Sequence, residues 1–393
     1  MTNQSATTQN PARFITAPEK LAMLHSMKDL DGTGRFYELD YTIDYMLDKV
    51  LMSNHTITEK LFCYIGSLLF DRLPKLSEIK ASFGASCSAF AATESVTGNK
   101  LMGRNFDFNH YTTDTDGNHS YIETSAIILH TAPTDGYKSV AIADGWNMFY
   151  GRGFYTDGKT DLSLMTALPY ACLDGINEAG FAICVLALNE NQTKQNTGKN
   201  KIATTVAIRL LLDKAASVKE AIELLGRYDI DMEGNGHSNY HFFMADASGR
   251  FAIVEYTFDK DKGETTPHVT EVFTDNDIFR CVTNFYISPT MKDTNDGWHS
   301  DHGKARFLKL HNTLNNCGYR LSAADAMNLL KEVSQKPDYT DPTSCTQWSA
   351  LYDLTEKTVK IAFLRNYANQ YFVSVGNRTT RPTPVSDNKS KNQ

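Results

Sequence analysis

The periodicity of apolar residues changes abruptly near Phe83, and this change limits what the chain can fold into. Before it, from Pro18 onward, apolar residues recur at three- and four-residue spacing, which is typical of amphipathic helices. After it, short runs of small and β-branched residues are separated by turn residues and by pairs of helical segments. Clustered strands and paired helices predict a layered α+β fold with antiparallel sheets.

The elements can be placed along the chain from this periodicity. Helices are predicted over residues 36–51, 57–70, 204–216, 218–225, 304–314 and 323–333. Ser217 and Ser322 are positioned to cap the helices that follow them. Strands are predicted over residues 121–129, 139–143, 180–188, 240–246, 251–256, 269–273, 351–354 and 358–364.

Composition excludes several classes of protein. The 393 residues are 41% hydrophobic and 22% charged, which excludes disordered and fibrous chains. A net charge of −7, with 39 basic residues against 46 acidic ones and no basic stripe, argues against nucleic acid as a main partner. The longest early apolar run, residues 61–70, is far shorter than the ~20 residues needed for a membrane span.

The amino terminus and the cysteines bear on the compartment. The first residues have no charged segment followed by an apolar run, so no secretory signal is predicted. Seven cysteines form no CxxC pair and leave one over. We therefore expect free thiols and a cytoplasmic protein.

One predicted hairpin carries reactive side chains. SCSAFAAT, a TGN turn and KLMGRNFDF place Cys87, Arg104 and Asp107 on paired strands. A guanidinium stabilises a thiolate, and a carboxylate can position an amine or imidazole. The alternative is that Cys87 is simply a small buried hydrophobic residue, as most free cysteines are. The hairpin alone leaves both interpretations open.

The same hairpin, together with four later segments, resembles a known family. CSAFAA…GRNFDF is similar to the opening of the choloylglycine hydrolases, a branch of the N-terminal nucleophile (Ntn) hydrolases. The later segments that resemble the family, in the same order, are DGINEAGFAICVLALN (174–189), HFFMADASGRFAIVEY (241–256), CVTNFY (281–286) and KARFLKL (304–310). The resemblance extends over residues 87–375. It implies a four-layer αββα sandwich.

The resemblance also implies a catalytic apparatus that needs no cofactor and no metal. Cys87 would be the nucleophile, and its own α-amino group, with a pKa of about 8, would be the general base. Asp107 would hydrogen-bond that amine, and Arg104 would stabilise the thiolate. The remaining implied residues are Arg306, which assists Arg104, Asn189, which donates to the oxyanion, and Asn284, which lines the opposite side.

The chain departs from the bile-salt enzymes because 86 residues precede Cys87. A free amine then requires cleavage between Ser86 and Cys87, by attack of the thiol on the Ser86 carbonyl. This layout resembles the penicillin acyltransferase and acid ceramidase branches. It divides the chain into a helical propeptide or small subunit (1–86), a catalytic domain (87–377) and a loose polar tail (378–393). The alternative is a separate helical domain that is never cleaved.

The function implied is hydrolysis of a linear, non-peptide amide through a Cys87 thioester. The partner would be a small N-acyl compound, such as a conjugated bile acid, an N-acyl amino acid, an N-acyl ethanolamine or penicillin V. An acyltransferase using the same cysteine and a non-catalytic scaffold remain as alternatives. The resemblance also leaves a homo-oligomer open.

Three further features have some of the marks of a functional site. Residues 29–40 mimic a calcium loop, but Asp40 replaces the bidentate glutamate and no partner loop follows, so a polar connector is expected. His299 and His302 lack a third ligand at zinc spacing and are expected in a surface turn. An aromatic loop is interpreted as a wall for an apolar acyl group, with core packing as the alternative; its residues are Trp146, Phe149, Tyr150, Phe154 and Tyr155.

Overall fold

The computed structural model describes residues 12–72, 86–108, 111–113, 119–121, 126–145, 155–156, 159–160, 162–188, 192–232, 239–274, 279–291, 300–338 and 345–384. The α-helices in these ranges form an early group before residue 70 and a later group after residue 203. They are α1 (Pro18–His25), α2 (Leu47–Met52), α3 (Thr58–Leu69), α4 (Thr204–Lys214), α5 (Val218–Leu225), α6 (Ser300–Asn316) and α7 (Ala323–Glu332). Short 3-10 helices cover Leu162–Tyr170 and Lys260–Lys262.

The strands of the described ranges follow in chain order. They are β1 (Lys28–Asp29), β2 (Phe36–Tyr41), β3 (Ser86–Glu94), β4 (Lys100–Asp107), β5 (Tyr111–Thr113), β6 (His119–Tyr121), β7 (Ala126–Thr131), β8 (Ser139–Asp144), β9 (Tyr155–Thr156), β10 (Lys159–Thr160), β11 (Cys172–Asn177), β12 (Ala182–Leu188), β13 (Lys201–Ile202), β14 (Asp229–Ile230), β15 (Asn239–Ala245), β16 (Phe251–Thr257), β17 (Val269–Phe273), β18 (Cys281–Val282), β19 (Arg320–Leu321), β20 (Thr346–Asp353), β21 (Thr358–Phe363), β22 (Asn369–Ser374) and β23 (Asn377–Pro384).

Two large sheets dominate the part of the chain that is described. One is nine-stranded, in the order β1-β2-β7-β8-β11-β12-β15-β16-β17, and the other is eight-stranded, in the order β18-β3-β4-β20-β21-β22-β23 with β19 beside β3. Pairing within them is antiparallel except for β2 with β7 and β19 with β3. The chain is therefore α+β with two large sheets, as the sequence predicts.

Helices cover the outer side of each sheet. Helix α4 packs on β11 and β12, whereas α6 and α7 pack on β3, β4 and β20. Strand β3 faces both ways: Cys87, Ala89 and Ala91 point into the core between the sheets, while Phe90 and Ala92 point toward the two helices. This alternation, with period two, places a catalytic candidate at the interface between the sheets.

The segment before Cys87 corrects one prediction. The predicted helix over residues 36–51 is wrong over Phe36–Tyr41, where the chain forms strand β2, and is confirmed only over residues 47–51, which lie in α2. The Phe36 ring stacks on Phe363 of the opposite sheet at 4.7 Å and meets Tyr371 edge-on at 4.8 Å. Apolar spacing alone does not distinguish these outcomes, because tertiary packing of aromatic residues decides strand formation. Residues 12–72 are thus not purely helical but contribute two strands to the nine-stranded sheet.

Most other element predictions are confirmed, with shifted ends. The β3–β4 hairpin forms as expected, and its turn contains Gly98 at φ +80°. Gly103 is needed within the hairpin, because a Cβ there would lie 2.3 Å from the Phe90 ring. Ser217 and Ser322 cap α5 and α7 as predicted. The strand predicted over residues 121–129 is divided in the structure: Tyr121 is the last residue of β6, and β7 begins only at Ala126.

The predictions for the calcium-like segment and for the C-terminal tail have different outcomes. The calcium-like residues 29–40 form a polar hairpin turn between β1 and β2, in which the Asp29 carboxylate accepts the N–H groups of Gly32 and Gly34 at 2.9 Å. A connector is therefore confirmed. The prediction of a loose tail over residues 378–393 is wrong for residues 378–384, because they belong to β23, which pairs with β22.

All seven cysteines are free thiols in the structure. Among the described helices, none combines the length and the apolar character that crossing a bilayer requires.

Glu38 ties the N-terminal segment to the end of the other sheet. Its Oε1 accepts the backbone N–H and the hydroxyl of Thr379 at 2.6 and 2.5 Å, and it lies 3.0 Å from His130 Nε2. Burial alone would raise the pKa of Glu38, but the hydrogen bonds from His130 and Thr379 outweigh it and lower the pKa to about 2. The ionised carboxylate therefore stabilises the fold.

We expect Glu38→Gln to lower the free energy of unfolding at pH 7 by about 3 kcal/mol, as a shift of this size implies. Because the pKa of Glu38 is lower in the folded state, its stabilisation is complete above the unfolded value of 4.5 and is lost as the pH falls toward about 2. Urea unfolding at several pH values should show the difference from wild type shrinking below about pH 5. Glu223→Gln, at a 55% exposed side chain, is the control. An equal difference at pH 7 and pH 3 would contradict the assignment.

Candidate active site

Cys87 is the second residue of β3 and is buried, with 1% of its surface exposed. Its backbone N–H donates to Asn284 Oδ1 at 2.7 Å. Its carbonyl oxygen accepts from Arg306 Nη1 at 2.7 Å. Both polar groups of the Cys87 backbone are therefore bonded to side chains that the resemblance names.

Arg104 lies on β4 and faces the core between the sheets. Its guanidinium contacts the Cys87 thiol, pairs through Nε with Asp174, and donates to the backbone oxygens of Asn105 at 2.6 Å and Val185 at 3.2 Å. Aromatic rings of Phe106 and Trp348 lie 5.1 and 5.9 Å from its central carbon. The guanidinium is thus fixed on several sides beside the thiol.

Asp107 ends the same strand but turns to the opposite face. Its carboxylate accepts the Thr346 hydroxyl at 2.5 Å and the Gln335 amide at 2.9 Å, and Arg306 Nη1 lies 3.4 Å away. Across the ladder, Asp107 pairs in register with Ser86. The carboxylate therefore lies at the level of the Ser86–Cys87 peptide bond.

Asn284 connects the two sheets through this site. Its Oδ1 accepts from Arg306 Nη2 at 2.8 Å as well as from the Cys87 N–H, and its Nδ2 donates to the Ala187 carbonyl on β12 at 2.8 Å. Since one amide bonds to both sheets and to α6, small shifts of any of them would move the groups around Cys87.

The charges at the site are balanced. Arg104 has the carboxylate of Asp174, and Arg306 has that of Asp107, all four side chains being buried. Burial raises the pKa of the Cys87 thiol, and the Arg104 charge only partly opposes this. Burial likewise raises the pKa of Asp107 against the effect of Arg306 and Thr346. Among the described residues, both cations at the site are already paired with carboxylates, so we expect the Cys87 thiol to need a base to become a nucleophile.

A buried histidine–carboxylate pair orders the segment that bears Asn284. His241 Nε2 lies 2.8 Å from the Thr283 carbonyl, and since a carbonyl only accepts, this nitrogen carries a proton. His241 Nδ1 lies 3.0 Å from Glu255 Oε1. Glu255 also accepts the backbone N–H groups of Ile287 and Ser288 at 2.8 and 2.9 Å. The nine-stranded sheet thereby holds both sides of Asn284.

Five of the predicted residues are thus brought together: Cys87, Arg104, Asp107, Asn284 and Arg306. Asn189 lies outside the described residues, as do Trp146, Phe149, Tyr150 and Phe154; only the backbone of Ser86 is described. Among the described residues, no cluster of three potential metal ligands occurs, and neither His299 nor the side chain of His302 is among them.

Sequence reasoning missed the residues that surround these groups. Asp174, His241 and Glu255 lie inside motif segments whose other residues were used, and the available signal was a charged or titratable residue within an apolar strand. Gln335 and Thr346 meet Asp107 from more than 220 positions away, at a sequence separation of 228 and 239. No local pattern predicts those contacts.

The chain was compared with protein families, with proteins of curated function and with solved structures. The model of the family described as acyl-coenzyme A:6-aminopenicillanic acid acyl-transferase matches residues 95–367, beginning after Cys87. No protein of curated function matches the sequence. The chain is similar in structure to two variants of conjugated bile acid hydrolase from Clostridium perfringens. For the first variant the TM-score is 0.47 at 15% identity, over 78% of this chain and 99% of that one; for the second it is 0.46 at 15%, over 75% and 96%.

It is also similar to penicillin V acylase from Agrobacterium tumefaciens, with TM-score 0.44 and 18% identity over 73% of this chain and 86% of that one. The family match extends over more than half of the sequence and confirms the resemblance that the motifs indicated. The chain belongs to the acyl-coenzyme A:6-aminopenicillanic acid acyl-transferase family.

Proposed function

We propose that this protein is a self-cleaving Ntn amidase with a four-layer αββα catalytic domain. It would cut its own chain between Ser86 and Cys87 and then hydrolyse a linear amide of a small N-acyl compound. The observation that carries the proposal is the clamp on Cys87: Asn284 and Arg306 bond the N–H and the carbonyl of the residue whose thiol contacts Arg104.

Self-cleavage would proceed by an N-to-S acyl shift. The Cys87 thiol attacks the Ser86 carbonyl carbon, the C–N bond breaks, and the thiol proton passes to the departing Cys87 nitrogen. The product is a thioester joining Ser86 to the Cys87 sulfur. Water then hydrolyses the thioester, releasing the Ser86 carboxylate and leaving a free α-amine on Cys87.

That amine would be the base that the buried thiol needs. A free α-amine has a pKa of about 8 and can accept the thiol proton near neutral pH. Asn284 Oδ1 already accepts from the nitrogen of Cys87, and Asp107 lies at the same level of the ladder. The thiolate then attacks the carbonyl carbon of the substrate amide. The C–N bond breaks, and the amine of the substrate leaves with the proton that the Cys87 α-amine had taken from the thiol. Water finally hydrolyses the acyl thioester. Asn189 is proposed as a donor to the oxyanion.

The N-terminal segment would remain attached after the cut. Phe36 and Leu39 of β2 are fully buried, and β2 is hydrogen-bonded to β1 and β7. Removing such a strand would expose apolar surface and unpaired backbone groups. A small subunit that stays bound is therefore expected.

Intact-mass analysis and amino-terminal sequencing of the purified protein test the cleavage. We expect two chains in the wild type, with a new amino terminus at Cys87, and one unbroken chain in Cys87→Ala, because the alanine has no sulfur to accept the acyl group. The two chains should co-elute in size-exclusion chromatography.

Cys281→Ala is the matched control, since it removes another buried thiol, on β18 beside β3. It should leave the cut unchanged. An unbroken wild-type chain, or a cut that persists in Cys87→Ala, would contradict self-cleavage and leave the scaffold alternative.

Acyl transfer is the second candidate, and it is favoured by the description of the matching family. If an amine intercepts the Cys87 thioester, adding a primary amine at constant substrate should divert acyl groups from the free acid to a new amide. The expected result for an amidase is that the free acid remains the main product, since water deacylates the thioester. Mass spectrometry of the products measures the ratio, and a dominant amide product would establish the transferase instead.

The role proposed for Asp107 can be tested through Thr346. Thr346→Val keeps the shape of the side chain but removes the hydroxyl that bonds Asp107 at 2.5 Å and accepts the Gln335 N–H at 2.8 Å. We expect the free energy of unfolding to fall by about 1–3 kcal/mol and turnover to decrease, because two buried polar groups lose a partner. Thr346→Ser retains the hydroxyl and should restore both quantities. Equal values for the two variants would contradict the role.

A further inference from the structure

Asp174 is a buried charge that the proposed mechanism does not use. It lies on β11 of the nine-stranded sheet, with none of its surface exposed. Its carboxylate accepts from Trp348 Nε1 at 3.0 Å and from the Tyr352 hydroxyl, and it pairs with Arg104 Nε. These three donors all belong to the eight-stranded sheet. Because three donors bond to this buried carboxylate, they fix its position between the two sheets.

Arg104 is shared between a carboxylate and a thiol that becomes anionic when it loses its proton. One side of its guanidinium pairs with Asp174, and the thiol of Cys87 contacts it as well. Its Nη1 and Nη2 are bonded to the backbone oxygens of Asn105 and Val185, so these bonds hold the group even without the carboxylate. The position of Arg104 therefore depends on several contacts, whereas its charge is divided between two groups.

We propose that Asp174 is a positioning residue that acts on Cys87 through Arg104: it competes with the Cys87 thiolate for the positive charge of that guanidinium. The inference rests on the proposed function, since it concerns how the same nucleophile is controlled. The competition disfavours a resting thiolate, so that the thiol gives up its proton only to the Cys87 nitrogen, first during the acyl shift and later, as the free α-amine, during turnover. A thiolate formed earlier would be open to oxidation and alkylation.

Other titratable groups surround Cys87 and Asp174. Asp107 acts on Cys87 from β4, and its charge is matched by Arg306. The thiols of Cys184 on β12 and Cys172 on β11 lie within electrostatic range of Asp174, and burial raises the pKa of each. Tyr352 bonds to Asp174 directly, and burial raises its pKa too. Of the two carboxylates named, Asp107 therefore pairs with Arg306, and Asp174 pairs with Arg104.

The test is the pH dependence of Cys87 alkylation by iodoacetamide, followed by peptide mapping to distinguish the other cysteines. Asp174→Asn leaves Arg104 with the thiolate as its main counter-ion. We expect the midpoint of alkylation to move down by about one pH unit, so that alkylation well below the midpoint becomes about tenfold faster. An unchanged or higher midpoint would overturn the proposal.

Tyr352→Phe gives an independent result of the opposite sign. Without the hydroxyl, the negative charge of Asp174 loses a hydrogen-bond donor, so the carboxylate should attract Arg104 more strongly. Less positive charge is then available to the thiolate, and the midpoint of Cys87 alkylation should rise. This variant removes a single oxygen and keeps the test valid if Asp174→Asn does not fold. Tyr256→Phe, at a buried tyrosine of β16, should leave the midpoint unchanged. A fall in Tyr352→Phe, or no change, would contradict the competition.

The outcomes separate this inference from the proposed function. Intact mass is measured first, and a wild-type chain that is not cut rejects self-cleavage. The alkylation midpoints are measured in either case, because they require only the thiol. A cut chain whose midpoint is insensitive to both variants rejects the role of Asp174 and leaves the amidase proposal standing.

Discussion

The site depends on the burial of two guanidinium groups with two carboxylates around one thiol. Charges removed from water are tolerated only when each is paired and its remaining polar atoms are bonded. Arg104 with Asp174 lies on the side between the sheets, and Arg306 with Asp107 lies on the side of the helices. Strand β3 passes between the two pairs. The positions of both sheets and of α6 therefore determine the surroundings of Cys87.

This arrangement connects stability to chemistry. Because the pairs join β4 to β11 and to α6, neither β11 nor α6 could move away from β4 without leaving a buried charge uncompensated. In the described part of the chain both cations of the site are paired with carboxylates, so the Arg104 charge only partly opposes the effect of burial and the pKa of the Cys87 thiol is raised. The α-amine that cleavage would free on Cys87 could accept the thiol proton, without adding another permanently charged side chain to the core.

The N-terminal segment is part of the same architecture. Strand β2 extends the nine-stranded sheet, its Phe36 ring packs against the opposite sheet, and Glu38 bonds to Thr379 of the last strand. Ring stacking, backbone hydrogen bonds between strands and a buried carboxylate join this segment to the rest of the fold and so stabilise it. Its proposed separation from the rest of the chain at Cys87 would cut the covalent link but leave these contacts in place.

Local signals in the sequence determined much of this protein. Two strand-like segments around a TGN turn predicted the β3–β4 hairpin, and serines predicted the starts of α5 and α7. The family resemblance named Cys87, Arg104, Asp107, Asn284 and Arg306 as candidates, and the structure brings these five together. The local predictions, of the hairpin and the caps, have a simple physical basis. These succeed because the hydrogen bonds of a turn, a cap or a ladder involve residues close in the chain.

Only the tertiary structure decided the rest. The helical spacing of residues 36–51 does not exclude the strand that Phe36 forms, since the rings it packs on come from residues 363 and 371. The partners of the proposed catalytic side chains, Asp174 for Arg104 and Thr346 for Asp107, belong to distant strands. The physical reason is that pairing a buried charge requires a group at the right place in space, and the sheets bring that group from anywhere in the chain.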